Sequence, residues 1–110
     1  MCGIAGIAAL DVRRPIDAAP MSGMLRCIAH RGPDDEGVHA TPGVVLGHRR
    51  LSVIDVAGGH RPLFGARSST ALICNGEIYN FRELAAELKT FGHSFRTRSD
   101  TEVVAHAYDE

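Results

Sequence analysis

Two glycines inside an N-terminal apolar run constrain this chain most. Residues 2–9 read Cys-Gly-Ile-Ala-Gly-Ile-Ala-Ala, small and branched apolar side chains with Gly3 and Gly6 among them. Glycine weakens a strand unless something must come close to its backbone. The run therefore predicts a buried strand that another backbone or a ligand approaches closely. Such a strand needs partner strands and a covering layer, and 110 residues supply one domain or part of one.

Later segments provide candidates. Met21, Met24, Leu25 and Ile28 recur at i, i+3, i+4 and i+7, the stripe of a short helix. Arg31 to Gly37 is a turn cluster without strand or helix pattern. Val44–His48 and Leu51–Asp55 read as strand segments, with Arg49 and Arg50 between them. Gly58-Gly59 and Pro62 mark a loop. Ala71–Cys74 is a short apolar strand ending in the turn pair Asn75-Gly76. Asn80 with Glu83 has capping-box spacing ahead of a helix whose stripe is Leu84, Leu88 and Phe91, with Gly92 as its stop. Ser99 with Glu102 repeats the signal, and Val103, Val104, Ala107 and Tyr108 follow at helical spacing. That last helix shows no stop, and Asp109-Glu110 sit badly against the negative end of a helix dipole. The plain reading is a frayed terminal helix; the sharper expectation is a chain cut inside a longer domain.

Several function classes are disfavoured. The net charge of −1 gives no pull toward nucleic acid or an anionic membrane, and the six histidines are scattered. No apolar run approaches the roughly 20 residues that span a bilayer. The N-terminus lacks the basic segment of a secretory signal. Cys2, Cys27 and Cys74 are odd in number with no CxxC spacing, which argues against a disulfide framework or a zinc site. A reducing cytoplasm is the simplest compartment. A cysteine-based redox or metal protein is a third class of reading. Against it, Cys27 and Cys74 read as small buried apolar residues.

Cys2 is the residue type with the most chemistry. Removal of Met1 ahead of a small residue leaves a thiol and a free α-amine on one residue. A free thiol titrates near about 8.5 and an α-amine at about 7.7–8.0. Near neutral pH the amine is thus able to take the thiol proton, directly or through one water. The thiolate then attacks a carboxamide, forms a thioester and releases ammonia. The plainer alternative is an inert strand residue. Gly3 would let substrate near the backbone.

Acyl transfer also needs oxyanion donors. Asn75 offers a side-chain amide and Gly76 an unobstructed N–H, although Asn-Gly is also the commonest hairpin pair. An amino-acid substrate calls for a guanidinium at its carboxylate and carboxylates at its ammonium. Arg49 or Arg50 supplies the first; Glu77 and Asp100 supply the second. Each is equally a solvated charge or, for Asp100, a helix N-cap. Spacing alone does not choose.

Five stretches in order decide the matter by resemblance. They are Met1-Cys-Gly-Ile-Ala-Gly6, His30-Arg-Gly-Pro-Asp34, Gly47-His-Arg-Arg-Leu-Ser-Val-Ile-Asp55, Asn75-Gly-Glu-Ile-Tyr-Asn80 and Ser99-Asp-Thr-Glu-Val103. Together they resemble the class II glutamine amidotransferase domain of glutamine-hydrolysing asparagine synthetases. Sugar-phosphate and purine-pathway amidotransferases share the Cys-Gly-Ile start but differ around the arginine. β-Lactam-forming relatives generally lack the cysteine.

The resemblance implies an α+β N-terminal-nucleophile hydrolase fold, an αββα sandwich of two antiparallel sheets between helical layers. Residues 1–110 would be its N-terminal part, incomplete, with the synthetase domain absent. At matching positions it implies Cys2 as nucleophile with its own α-amine as base, and Asn75 with Gly76 as oxyanion hole. It implies Arg50 at the glutamine carboxylate, Glu77 and Asp100 near the ammonium, and Leu51, Ser52, Val53 and Ile54 as pocket wall. The implied partners are L-glutamine, a C-terminal synthetase domain of the parent chain, and a second copy of the parent enzyme as a homodimer. ATP, Mg²⁺ and aspartate belong to that absent domain, so no cofactor is assigned to this chain. The family pattern has glutamine where Arg61 stands, which bears on loop packing. The alternative reading is a truncated, noncatalytic amidotransferase-like fragment or interaction module.

Overall fold

The N-terminal apolar run forms strand β1 (Gly3–Ala8) in the computed structural model, which describes residues 2–51, 62–66 and 70–110. Helix α1 (Ala19–Cys27) follows, then a 3-10 turn (Ala29–Arg31), β2 (Asp35–Thr41), β3 (Val44–Arg50), β4 (Leu63–Phe64), β5 (Ala71–Leu72), α2 (Phe81–Thr90) and α3 (Glu102–Asp109). The architecture is α+β, with two small antiparallel sheets. One has the order β1-β3-β2 and the other pairs β4 with β5.

β3 is central because it follows β2 through a two-residue turn and pairs on its other edge with β1. Thr41 faces Val44 across that turn, and Gly3 faces Arg49 at the far end of the β1 pairing. The turn is Pro42-Gly43. Gly43 has φ +86°, a conformation other residues avoid, and an added Cβ would also strike the Val12 backbone at 2.9 Å.

Side chains alternate across the sheet. Ala5 and Ile7 of β1 and Val45 of β3 point to one face, where α1 lays Met21 and Leu25 on them. Ile16 and Ile28 complete this core. Gly47 is opposite Ala5, and a Cβ there would collide with Met21, so glycine sets how closely α1 sits. Burying each large apolar side chain here contributes about 1.5–3 kcal/mol. Asp17 Oδ1 accepts from the Ala19 N–H at 2.9 Å, relieving one unpaired donor at the start of α1.

On the other face, the His39 ring meets Phe64 of β4 edge-on at 5.2 Å. A second apolar group lies under α2 and α3, with Leu63, Leu88, Val103 and Ala105 buried. Among the described residues, no helix is long and apolar enough to cross a membrane.

Several expectations need correction. The turn cluster ends by Asp34, because Asp35, Glu36 and Gly37 open strand β2. β2 is a sheet edge with little to bury, so it lacks an apolar alternation; its Glu36 pairs instead with Arg49 opposite. β3 continues through Arg49 and Arg50, which therefore do not lie between strands. Leu51 lies just beyond β3 in no strand, and the rest of the segment to Asp55, with Gly58, Gly59 and Arg61, falls outside the described residues. β5 stops at Leu72 and pairs with β4, a strand the sequence did not signal.

The helix stripes shift as well. Phe91 is 59% exposed, although Gly92 does end α2 with φ +92°. Met24, in the α1 stripe, is also on the exposed side. Asn80 stands at the N-cap of α2 without a side-chain cap bond. Thr101, not Ser99, stands at the N-cap of α3, without a side-chain cap bond, so Glu102 opens the helix and no capping box forms. The buried face of α3 is Glu102, Val103, Ala105 and His106, while Ala107 and Tyr108 are exposed. α3 is wedged between α2 on one side and β4 and β5 on another, and that rotates the buried arc toward polar residues.

Candidate active site

β1 and β3 run antiparallel, and this brings the first residues of the chain to the end of β3. Cys2 stands immediately before β1, and Leu51 immediately after β3. The Leu51 N–H donates to Cys2 Sγ at 3.4 Å, and the sulfur lies 3.8 Å from the Leu51 carbonyl oxygen. Arg50, one residue back, is buried at 4% exposure. The thiol and the guanidinium-bearing residue are thus neighbours in space although 48 positions apart in sequence.

The His30–Asp34 segment packs against the same end of β3. The Asp34 N–H donates to the Arg50 carbonyl at 3.0 Å, and Arg49 Nε donates to the Gly32 carbonyl at 2.9 Å. Any Cβ at Gly32 would run into the Arg49–Arg50 peptide, so only glycine allows this approach. Arg49 is spent on Gly32 and on Glu36, with Nη1 to Oε2 at 2.6 Å. Of the two arginines left open by spacing, Arg49 has this structural employment. An open cleft of about 300 Å³ lies here, lined by His30, Arg31, Pro33 and Leu51.

A second segment approaches β3 from the other side. His48 is buried on β3, opposite Gly37 and Ile4 in the strand pairing. Its Nε2–H donates to the Cys74 carbonyl at 3.1 Å. The carbonyl only accepts, which fixes the proton on Nε2. Asn75, Gly76 and Glu77 follow, all exposed. The Ile78 N–H then donates to Asp100 Oδ2 at 2.7 Å, and Asp100 is itself buried. Asp100 lies two residues ahead of α3, so the N-cap reading of it is set aside.

The structure therefore groups the sequence-derived candidates in two linked sets. Cys2, Leu51 and Arg50 meet where β1 begins and β3 ends. Asn75, Gly76 and Glu77 run between Cys74, which His48 ties to β3, and Ile78, whose N–H binds Asp100. Ser52, Val53 and Ile54 fall outside the described residues. The room beside Gly3 is taken by the Ile28 and Arg31 side chains, with Ile28 Cδ1 2.9 Å from an added Cβ, so substrate access is not what Gly3 serves. At Gly6 an added Cβ would meet only ordinary contacts, so no close approach needs a glycine there. Cys27 is exposed at the end of α1 and Cys74 is half-buried, unlike the buried packing residues expected of both.

Sequence reasoning gave His48 no role, though a signal existed. His48 and Arg50 alternate onto one face of a strand whose other members, Val44 and Leu46, are apolar, and a polar residue there needs a partner. The buried Glu102 was likewise read only as a capping residue. Among the described residues, no group of three or more His, Cys, Asp or Glu side chains is arranged to hold a metal ion.

A family model of the glutamine amidotransferase domain matches residues 1–110. The chain belongs to this family. The amidotransferase match covers the whole described fold, including both linked sets of candidate residues. Among curated relatives, the amidotransferase chain is 42% identical over 112 residues to glutamine-hydrolysing asparagine synthetase 2 of Bacillus subtilis (strain 168). It is 42% identical over 113 residues to glutamine-hydrolysing asparagine synthetase 2 of Oryza sativa subsp. japonica, and 40% identical over 110 residues to the glutamine-hydrolysing asparagine synthetase of Zea mays. Each alignment covers 100% of this chain but only 15–18% of the relative, so the chain spans under a fifth of the length of these proteins.

Proposed function

We propose that this amidotransferase domain hydrolyses L-glutamine through Cys2. The observation that carries the reading is the 3.4 Å contact from the Leu51 N–H to Cys2 Sγ, which holds the sulfur at the end of the strand that carries Arg50. After Met1 is removed, the α-amine of Cys2 accepts the thiol proton. The sulfur attacks the carboxamide carbon of glutamine, and its C–O π pair moves onto oxygen. The Asn75 amide and the Gly76 N–H stabilise that oxyanion; one such donor is typically worth about 10²–10³ in rate. The C–N bond then breaks. Nitrogen takes the proton held by the α-ammonium and leaves as ammonia, and water hydrolyses the remaining thioester to glutamate.

Substrate is held by charge. Arg50 pairs with the α-carboxylate of glutamine, and Glu77 and Asp100 face its α-ammonium. The resemblance assigns the pocket wall beside the carbon chain to Leu51 and to Ser52, Val53 and Ile54, the last three outside the described residues. One Asp100 oxygen is engaged by the Ile78 N–H, which fixes the carboxylate for this task.

The released ammonia serves a synthetase domain of a longer parent protein, which amidates aspartate. ATP and Mg²⁺ bind that domain rather than residues 1–110. The names of the relatives, glutamine-hydrolysing asparagine synthetases, support this assignment. The two small antiparallel sheets are then the first part of an N-terminal-nucleophile sandwich, and residues 1–110 the front of the domain. A cytoplasmic location and a homodimeric parent belong to the same reading.

The test uses the full-length protein. Cys2→Ala is expected to abolish glutamine hydrolysis while ammonia-dependent synthesis continues. Mass spectrometry of active protein is expected to find Met1 gone. Hydrolysis surviving in the Cys2→Ala protein, or active enzyme retaining Met1, overturns the mechanism.

A further inference from the structure

His48 lies buried beneath an exposed loop to which the mechanism assigns transition-state donors. We infer that His48 is a positioning residue for the Asn75-Gly76 oxyanion donors, acting through its hydrogen bond to the Cys74 carbonyl. The inference rests on the proposed glutamine-hydrolysing reading and deepens it.

Asn75, Gly76 and Glu77 are solvent-exposed, so local packing does little to fix them. Ordering a free residue costs about 1–2 kcal/mol of backbone entropy. Donors that are useful at the moment of reaction must be ordered beforehand. Two buried side chains meet that need. His48 Nε2–H holds the Cys74 carbonyl at 3.1 Å ahead of the loop, and Asp100 Oδ2 holds the Ile78 N–H at 2.7 Å behind it. Both anchors are under 10% exposed, with His48 at 1% and Asp100 at 7%.

The His48 anchor also sets direction. The Cys74–Asn75 peptide is planar, so holding the Cys74 oxygen fixes the plane of the Asn75 N–H and the path of the Asn75 Cα. His48 stands on the central strand two residues before Arg50 and three before Leu51, whose N–H meets the nucleophile. The strand that carries the substrate-carboxylate arginine thus also sets the position of the oxyanion loop. Gly37, opposite His48 on β2, has no side chain to compete for the space. Asp100 already has a substrate-binding assignment; His48 has none.

The experiment compares three variants in the full-length protein. His48→Leu removes the donor. His48→Asn stays polar but falls short of the Cys74 carbonyl. His48→Gln carries an N–H at a reach similar to Nε2. Misplacing catalytic groups by about 1 Å costs up to about 10²-fold. The Leu and Asn variants are therefore expected to lose about ten- to a hundredfold in kcat for glutamine hydrolysis. Their KM for glutamine stays within about threefold, because ground-state contacts remain. His48→Gln recovers most of kcat. Alkylation of Cys2 by iodoacetamide proceeds at the wild-type rate in all three.

Unchanged kcat in His48→Asn overturns the inference, as does a loss that His48→Gln fails to restore. A parallel fall in Cys2 alkylation also overturns it, since the defect then reaches the nucleophile. Failure of the underlying reading gives a different result: Cys2→Ala would still hydrolyse glutamine, whatever the His48 variants do.

Discussion

Glu102 shows how a single buried charge is held in this fold. Its side chain is 2% exposed, and burial pushes the carboxyl up. Four hydrogen bonds outweigh that: the Arg96 N–H at 2.8 Å, the Thr97 hydroxyl at 2.5 Å, the Thr97 N–H at 2.9 Å and His106 Nε2–H at 3.3 Å. The net result is a carboxyl held below its ordinary value. A depressed carboxylate pKa stabilises the fold above the unfolded value, and the gain disappears as pH falls through the folded one. Glu102→Gln is expected to destabilise the protein by about 1–3 kcal/mol at neutral pH. The difference from wild type should shrink on acidification below about pH 4, the ordinary carboxylate range. Chemical denaturation at both pH values checks this, and a pH-independent difference would remove the charge from the account. At this scale the sequence shows what is intrinsic to a residue, such as the thiol that Cys2 carries. It was silent on Glu102, because a carboxylate three residues after a serine looks the same whether it caps a helix or binds the preceding loop.

At the scale of elements, local signals worked where the backbone itself is special. α2 ends in a Schellman pattern: the His93 N–H reaches the Leu88 carbonyl at 3.1 Å and the Gly92 N–H reaches that of Lys89 at 3.0 Å. Gly92 has φ +92°, and nothing lies within 4 Å of where a Cβ would be. The cost of Gly92→Ala is therefore conformational only, about 1–2 kcal/mol. A melting temperature lowered by several degrees is the expected reading, and no change would mean that the αL position is not under load. His93, just past this stop, places Nδ1 3.0 Å from Nδ1 of His106 on α3. The end of one helix thus sets the packing of the next. Capping boxes and stripe phases were less legible, because neighbours decide them. β2 was missed for the same reason: an edge strand paired through Glu36 and Arg49 needs no apolar alternation.

The molecule as a whole leaves apolar surface on its larger sheet. α1 covers one face, but Ile4 (51%), Gly6 and Ala8 of β1 are exposed on the other. His39 with Phe64 makes one contact from that face to the smaller sheet. Among the described residues, β1 and β2 are the two edges of the three-stranded sheet. The relatives are more than five times longer than this chain. If the proposed glutamine hydrolysis and longer parent protein hold, residues 1–110 alone are expected to hydrolyse glutamine at least about tenfold more slowly than that parent, with a tendency to associate through the exposed face and edges. Parallel glutaminase assays with sedimentation check both, and equal activity from a monomeric short chain would show that the exposed sheet face needs no cover.

Sequence by itself determined what depends on one residue's bonds or on a few neighbours. That includes the thiol at position 2, the glycine that ends α2, a strand within residues 2–9 (though a half-exposed edge strand rather than a buried one) and the motif order that marks the family. Tertiary structure alone decided which distant groups meet. Antiparallel pairing of β1 with β3 delivers Cys2 to Leu51, close approach at Gly32 occupies Arg49, and His48 reaches across to Cys74. Such meetings follow from register and packing over tens of residues. The free energy that selects them is spread over the whole sheet, so no local stretch of sequence records it.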